Sequence, residues 1–429
     1  MIEGACKGVI VQESIKQKLK KVEQQKTPEG YKNERGYIIP EDWQLCLLKD
    51  KFTRLTDKNP ENLQNVLTIS AKQGLIDQQD YFNHSYASED KSNYQTLKIG
   101  DFSYNKSYSA DYPFGAIKRL EKYDKGVVSP LYICFRPKES TNSDFYINYF
   151  EAGLFNREIY NVAQEGARNH GLLNVPLHDF FNTFLLNPPV LEQRRIAEIL
   201  NLCDQIISLK RILIEEEQKR KNWLMQKLLK RKANYRKLRI REIAEVCTGA
   251  TPSTKKPEYW DGDIRWMNSG ELNLKRVCEV EGRITKNGMI NSGAKLLPVG
   301  SVLIGLAGQG KTRGTVAMNF VPLCTNQSVA AILPNENFES DYLFWDLENR
   351  YTELRKLSSG DGARGGLNLE LIKNLTVYLP TKDEQTDVAS TLSSISNKIS
   401  LLEQELAYWL QKKKALMLFL FTGIVRVSG

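Results

Sequence analysis

The chain is written twice. Pro188, Glu192, Gln193, Ala197 and Leu200 recur 192 residues further on as Pro380, Glu384, Gln385, Ala389 and Leu392. At the same offset Leu224-Met225 returns as Leu416-Met417, and Trp43 corresponds to Tyr235. A repeat at a fixed period constrains the fold more than any composition does, because each copy has to be one structural unit. The plan predicts, twice over, a globular head followed by a long helix. The segments expected from it are an amphipathic extension at 1–35, a first head at 36–187, a central helix at 188–232, a second head at 233–379, and a distal helix with a tail at 380–429.

The helices carry the clearest periodicity. Val388, Leu392, Ile395, Ile399, Leu402, Leu406 and Trp409, continued by Leu416 and Leu420, follow steps of four and three, interrupted by Lys413. This is the narrow heptad seam of a coiled coil rather than the broad stripe of a helix lying on a core. Shifted back, the seam is Ile196, Leu200, Cys203, Ile207, Ile214, Leu224 and Leu228, with Lys210, Glu217 and Lys221 at positions that call for apolar residues. Such a broken seam is weak alone, so the two helices are expected to pair with each other, antiparallel. About 40 residues at roughly 1.5 Å each make a rod of about 60 Å. Pro188-Pro189 and Pro380 mark the helix entrances, and Gly423 closes the second helix.

The heads read as mixed α/β, in which short apolar runs such as Val127-Val128, Leu131-Tyr132-Ile133 and Ser301 to Ile304 are broken by Gly, Asn and Asp turns. Beyond their edges the two heads match poorly, as suits one scaffold with two different faces. Ser14 to Lys26 is expected to form a Lys/Gln/Glu-rich amphipathic helix. A hydrophobic fraction of 41% with 26% charged residues is that of a soluble globular chain, and the net charge of +9 admits a polyanionic partner. Seven scattered cysteines without a Cys-x-x-Cys pair, and only three histidines, argue against a zinc site and for a reducing, cytoplasmic compartment. Met1 to Lys20 lacks the apolar core of a signal peptide, and the apolar run Leu416 to Phe421 is too short to span a bilayer.

Two motifs invite a catalytic reading. Gly305 to Thr312 satisfies the phosphate-loop pattern G-x-x-x-x-G-K-[ST], whose mechanism needs a helix directly after the Lys-Thr pair. The next residues, Arg313-Gly314-Thr315-Val316-Ala317, predict a strand instead, and Tyr342 to Asp346 downstream reads as helix rather than as a metal-holding strand. The same turn offers N–H groups and cations to a phosphodiester backbone. Asn187-Pro188-Pro189-Val190 is like the Asn-Pro-Pro-aromatic loop of adenine methyltransferases, but Val190 replaces the stacking aromatic and no glycine-rich loop precedes it. A proline stop before a helix is the better account. His84, His170 and His178 are isolated, and no nucleophile-base pair emerges.

The ordered set of motifs resembles the specificity subunit of type I restriction-modification systems. Pro188-Pro189-Val190-Leu191-Glu192-Gln193-Arg194-Arg195-Ile196-Ala197 is similar to that family's signature after its first target-recognition domain. Ala415-Leu416-Met417 through Thr422-Gly423-Ile424-Val425-Arg426-Val427 is similar to its usual terminus. Lys98 to Lys106 with Gly126 to Tyr132 resembles one class of recognition domain; Thr251-Pro252-Ser253, Tyr259 to Trp266 and Gly308 to Thr312 resemble another. The first helix departs from the pattern at its end, where Lys230-Arg231-Lys232 stands opposite Thr422-Gly423-Ile424. The resemblance implies two recognition domains separated by two conserved helices, paired as an antiparallel coiled coil in a pseudo-twofold repeat. It implies a non-catalytic chain that reads double-stranded DNA as two half-sites and fixes their spacing. Two methyltransferase subunits and two motor-nuclease subunits would bind it and bring S-adenosylmethionine, ATP and Mg, with no cofactor on this chain and no membrane.

Arg and Lys favour guanine edges, Asn and Gln favour adenine, and phosphate contacts position without specifying. The candidates in the second head are Gln309, Lys311, Thr312, Arg313 and Arg364, the last within the glycine-rich run 360–366. In the first head they are Arg168, Asn169 and His170, and after them Asn105, Lys106 and Arg119. Trp260 and Trp266 are expected in the core rather than stacked on bases. The competing reading is a coiled-coil scaffold joining two protein-binding heads, which would show no salt-sensitive DNA affinity to lose.

Overall fold

The computed structural model describes residues 15–70, 73–82, 90–107, 109, 112–163, 172–308, 312–357 and 366–427. The chain forms two compact units of mixed helix and sheet. One comprises Met1–Leu209 with Leu406–Gly429, the other Lys210–Glu405. Each unit therefore holds one head and part of both long helices, Val190–Leu228 and Lys382–Phe421.

In the first unit the head is organised on a four-stranded antiparallel sheet ordered Phe52–Arg54, Ile133–Pro137, Phe102–Asn105, Ala116–Arg119. Helix Ser143–Glu151, capped by the Asn142 side chain accepting from the Phe145 N–H, lays Phe145, Tyr146, Tyr149 and Phe150 into the core. Phe52 meets Phe102, Phe135 and Tyr146 edge-on at centroid distances of 5.4, 5.2 and 5.5 Å, an arrangement that suits the ring quadrupoles. The expected run Leu131-Tyr132-Ile133 enters a strand only at Ile133. Pro130 takes the second position of a turn closed by the Tyr132 N–H donating to Ser129 O at 3.0 Å, which leaves Leu131 exposed. The N-terminal helix covers residues 15–23 and stops at Gln25, whose φ is +57°.

In the second unit a five-stranded sheet is ordered Val246–Thr248, Val329–Ile332, Val302–Gly305, Val316–Asn319, Arg276–Val277. Its three central strands are buried at every position. The period-2 alternation divides them between two cores. Val302, Ile304, Val316, Met318, Ala330 and Ile332 face one, shared with helix Ser340–Asn349; Leu303, Ala317, Val329 and Ala331 face the other. A covered sheet of this kind reads as continuous apolar runs, which is why Ser301 to Ile304 was visible in the sequence.

Although the sheets differ, both heads close in one way. Gln44–Leu47 pairs antiparallel with Phe184–Asn187, and at the same offset Arg236–Arg239 pairs with Thr376–Leu379. Short helices Leu48–Lys51 and Ile240–Ile243 come directly after the first strand of each pair. At each helix entrance the glutamine side chain donates to the proline carbonyl five residues back, Gln193 to Pro188 at 2.7 Å and Gln385 to Pro380 at 3.0 Å. These bonds satisfy carbonyls that no strand or helix partner could reach.

Candidate nucleic-acid interface

The seam positions of the first long helix lie inward. Ile196, Leu200 and Ile207 are buried, and Ile214 and Leu224 half-buried. On the second, Val388, Leu392, Ile395, Ile399 and Leu402 are buried, and Leu406 and Trp409 half-buried. The polar interruptions are paired. In the first unit Lys413 bonds Asp204 at 2.6 Å; in the second Lys210 bonds Glu405 at 2.6 Å and Lys398 bonds Glu217 at 2.6 Å, holding the Glu217 carboxyl below its ordinary range. Lys221 lies 4.9 Å over the Trp345 ring, and burial lowers its pKa.

Each helix entrance is also tied to its head by a carboxylate. Glu192 accepts from Trp43 Nε1 at 2.9 Å and from Arg426 through both of its oxygens at 2.8 Å; Arg426 also holds Asp42. Glu384 accepts from Tyr235 Oη at 2.8 Å and Lys232 Nζ at 2.5 Å, both on one oxygen. The shared lysine and tyrosine bonds keep the Glu384 carboxyl below its ordinary range. Gly423, at φ +65°, ends the second helix against Pro40, where a Cβ would come within 2.4 Å of the proline ring.

The described ends of the loops singled out in the second head gather at one end of its sheet. The register aligns Thr248 with Ala330 and Gly305 with Val329, and the parallel pair aligns Met267 with Thr325. The segments leaving Thr248, Met267, Gly305 and Thr325 thus emerge together. Thr312 and Arg313, half-buried, form the turn before strand Val316–Asn319, closed by the Thr315 N–H donating to Thr312 O at 3.0 Å. A strand rather than a helix comes after the glycine-rich turn, so the phosphate-loop mechanism has no helix N-terminus to use. Gly366 lies beside the Leu306 carbonyl, at 3.4 Å from a Cβ built on it, which brings the end of the second glycine-rich run to the same place. Gln309, Lys311 and Arg364 lie outside the described residues, as do Arg168, Asn169, His170 and His84.

Trp260 and Trp266 are half-buried, edge to face at 5.1 Å, with indole N–H groups donating to Ser253 O at 3.2 Å and Ala250 O at 3.0 Å. They fasten the 249–256 segment onto the small sheet. In the first head Asn105 bonds Tyr132 Oη at 3.2 Å and accepts from the Ser107 N–H at 3.0 Å, and the Lys106 carbonyl accepts from Leu173 N at 3.0 Å. Arg119 is committed within the head. Its guanidinium bonds Ser143 and Asp144 at 2.6 Å and Glu121 at 2.7 Å, with 16% of the side chain exposed, so we leave it out of the interface. Reasoning from sequence missed Gln327, which has no motif around it, and passed over Thr251, whose hydroxyl meets it. Among the described residues no helix is long and apolar enough to cross a membrane, and no cluster of three or more His, Cys, Asp or Glu could hold a metal ion.

Residues 232–408 match the family model of the type I restriction modification DNA specificity domain. The MjaIX specificity subunit of Methanocaldococcus jannaschii is 30% identical over 165 residues, which span 38% of this chain and 38% of that one. The MjaVIII specificity subunit of the same organism is 23% identical over 94% of this chain and 97% of its own length. The fold is shared with the S subunit of a type I restriction-modification system from M. genitalium, at a TM-score of 0.57 and 14% identity over 92% of this chain and 98% of that one. The second head, with its helix as far as residue 408, is thus the part of the chain that resembles a type I specificity domain. Over more than nine-tenths of its length the chain is also similar to type I restriction enzyme specificity subunits.

Proposed function

We propose that this chain is the DNA-reading, non-catalytic subunit of a type I restriction-modification enzyme, acting in the cytoplasm. Each head reads one half of a bipartite, asymmetric target. The two long helices pair as an antiparallel coiled coil in a pseudo-twofold repeat, and their length sets the number of unread base pairs between the half-sites. Two methyltransferase subunits dock on the helices and heads and supply S-adenosylmethionine; two motor-nuclease subunits supply ATP and Mg chemistry.

What carries this reading is one head-to-helix junction used twice, Trp43 on Glu192 and Tyr235 on Glu384, beneath heads whose sheets differ. A frame repeated under divergent faces suits two related but unlike targets. Docking is supported by large apolar side chains left exposed on the helices, Leu202 and Leu209 in the first unit and Ile212, Trp223 and Leu401 in the second. Lone surface apolar residues need no explanation, but several on elements already paired inward mark a further interface.

The test is an adenine-methylation map of host DNA with and without the gene. Loss of methylation at one split motif on deletion is the expected result and gives both half-sites and their spacing. An unchanged map in a host with an active cognate methyltransferase would overturn the reading.

A further inference from the structure

We infer that Gln327 is a specificity-determining residue of the second head and reads the major-groove edge of an adenine. The inference rests on the DNA-reading function proposed above. Gln327 is the apex of a three-residue turn between two buried strand ends, Thr325 and Val329, both 0% exposed. The turn is held from several sides. The Asn326 N–H donates to Met267 O at 3.1 Å, the Asn326 side chain accepts from the Ser328 N–H at 3.1 Å, and Ser328 O accepts from the Leu306 N–H at 2.8 Å. Gly249 presses on its base so closely that a Cβ there would lie 1.9 Å from the Thr325 carbonyl oxygen.

At the apex Gln327 itself is exposed, and Thr251 Oγ1 donates to its Oε1 at 2.6 Å. That bond sets Oε1 towards Thr251 and fixes the amide plane. It takes one of the two lone pairs of Oε1 and leaves the other, beside the two N–H donors of Nε2. An acceptor and a donor side by side are what adenine N6 and N7 require, and glutamine makes that bidentate pair. A neutral amide adds nothing to phosphate attraction, which Lys and Arg supply without discrimination. A rigid backbone with a second side chain fixing the rotamer is the arrangement that selective readout needs. Thr251 is then a positioning residue, acting through Gln327.

The experiment maps the methylation motif of the enzyme assembled from this chain and its methyltransferase subunits, acting on a library of randomised target sites. The unsubstituted enzyme is mapped first. A split motif there establishes the DNA-reading function; no motif overturns that function and this inference together. Given a motif, Gln327→Ala should lose discrimination at a single adenine position of one half-site by roughly ten- to a hundredfold, and leave the other half-site intact. Gln327→Glu, which can only accept, should move preference at that position from adenine towards cytosine. Thr251→Val should relax the same position less. An unchanged motif in Gln327→Ala, or an equal loss of methylation at all sequences without relaxation, would overturn the assignment.

Discussion

Glu192 and Glu384 occupy the same place in the repeat, yet replacing each by glutamine should have unequal effects. Glu192 is 1% exposed and receives three N–H donors divided between its oxygens: Arg426 Nε on one, Trp43 Nε1 and Arg426 Nη2 on the other. An amide has one acceptor oxygen, so in Glu192→Gln its NH2 group must oppose at least one of those donors. Breaking a buried, hydrogen-bonded ion pair costs about 3–5 kcal/mol. Arg426 retains Asp42 and has 32% of its side chain exposed, so about 2–3 kcal/mol is the better figure. In a unit of this size that lowers the melting temperature by roughly 4–12 °C. Glu384 takes both Lys232 and Tyr235 on Oε1, with 29% of its side chain exposed. Glutamine there keeps the oxygen where it is and turns its NH2 to water, so the loss should be a small fraction of the first. Thermal unfolding of the purified full chain, monitored by circular dichroism, measures both. Equal losses, or a larger one at Glu384, would refute the argument from oxygen use.

Three further outcomes are expected. Gly249→Ala places a methyl group against the Thr325 backbone rather than a movable side chain, so it should destabilise the second unit by about 1–3 kcal/mol; unchanged urea unfolding would contradict the packing. Asp42, Glu217, Glu279, Glu353 and Glu384 are held below the ordinary carboxylate range by hydrogen bonds from Arg426, Lys398, Arg265, Arg350 and Lys232, Glu279 down to about 2. Their folded pKa values lie below the unfolded ones, so the stability they add is complete above pH of about 4–5 and fades as pH falls towards about 2. Asp346, raised by burial, opposes them only singly, and a melting temperature that rose on acidification through that window would reverse the sign. Lys311→Ala and Arg364→Ala should each weaken DNA binding by the assembled complex and flatten its salt dependence without disturbing assembly, as measured by fluorescence anisotropy across a salt series. Unchanged affinity in both would remove those loops from the interface.

The frame was legible in the sequence because it is made of chemistry with fixed spacing. A heptad seam, a proline that ends a strand, and a glutamine five residues past the carbonyl it caps all survive as letters at constant offset. The aromatic at the head of each copy, Trp43 or Tyr235, was visible as a correspondence, but its purpose was not, because the partner glutamate lies 149 residues away in both. The heads were legible only as a class. Their strands are two to eight residues long, and neighbours in the sheets come from distant parts of the chain, so register is set by packing that no local pattern records. Arg119 shows the same limit from the other side. As a letter it is a cation near a strand end; its commitment to Ser143 and Asp144 depends on a helix that begins 24 residues later.

The same contrast explains why the polar breaks in the first helix are not defects. Lys210, Glu217 and Lys221 sit where a leucine would stabilise the pairing more, but a leucine seam accepts several registers. Lys210 to Glu405 and Glu217 to Lys398 advance seven residues along one helix while retreating seven along the other. A slip by one heptad would set Lys210 opposite Lys398, replacing an ion pair with two like charges. Exposed pairs add little stability on their own, yet the difference between attraction and repulsion at a seam is enough to choose a register. The spacing role proposed for the helix pair requires that slipped alignments be excluded, and charge at the seam does so at the cost of some apolar burial.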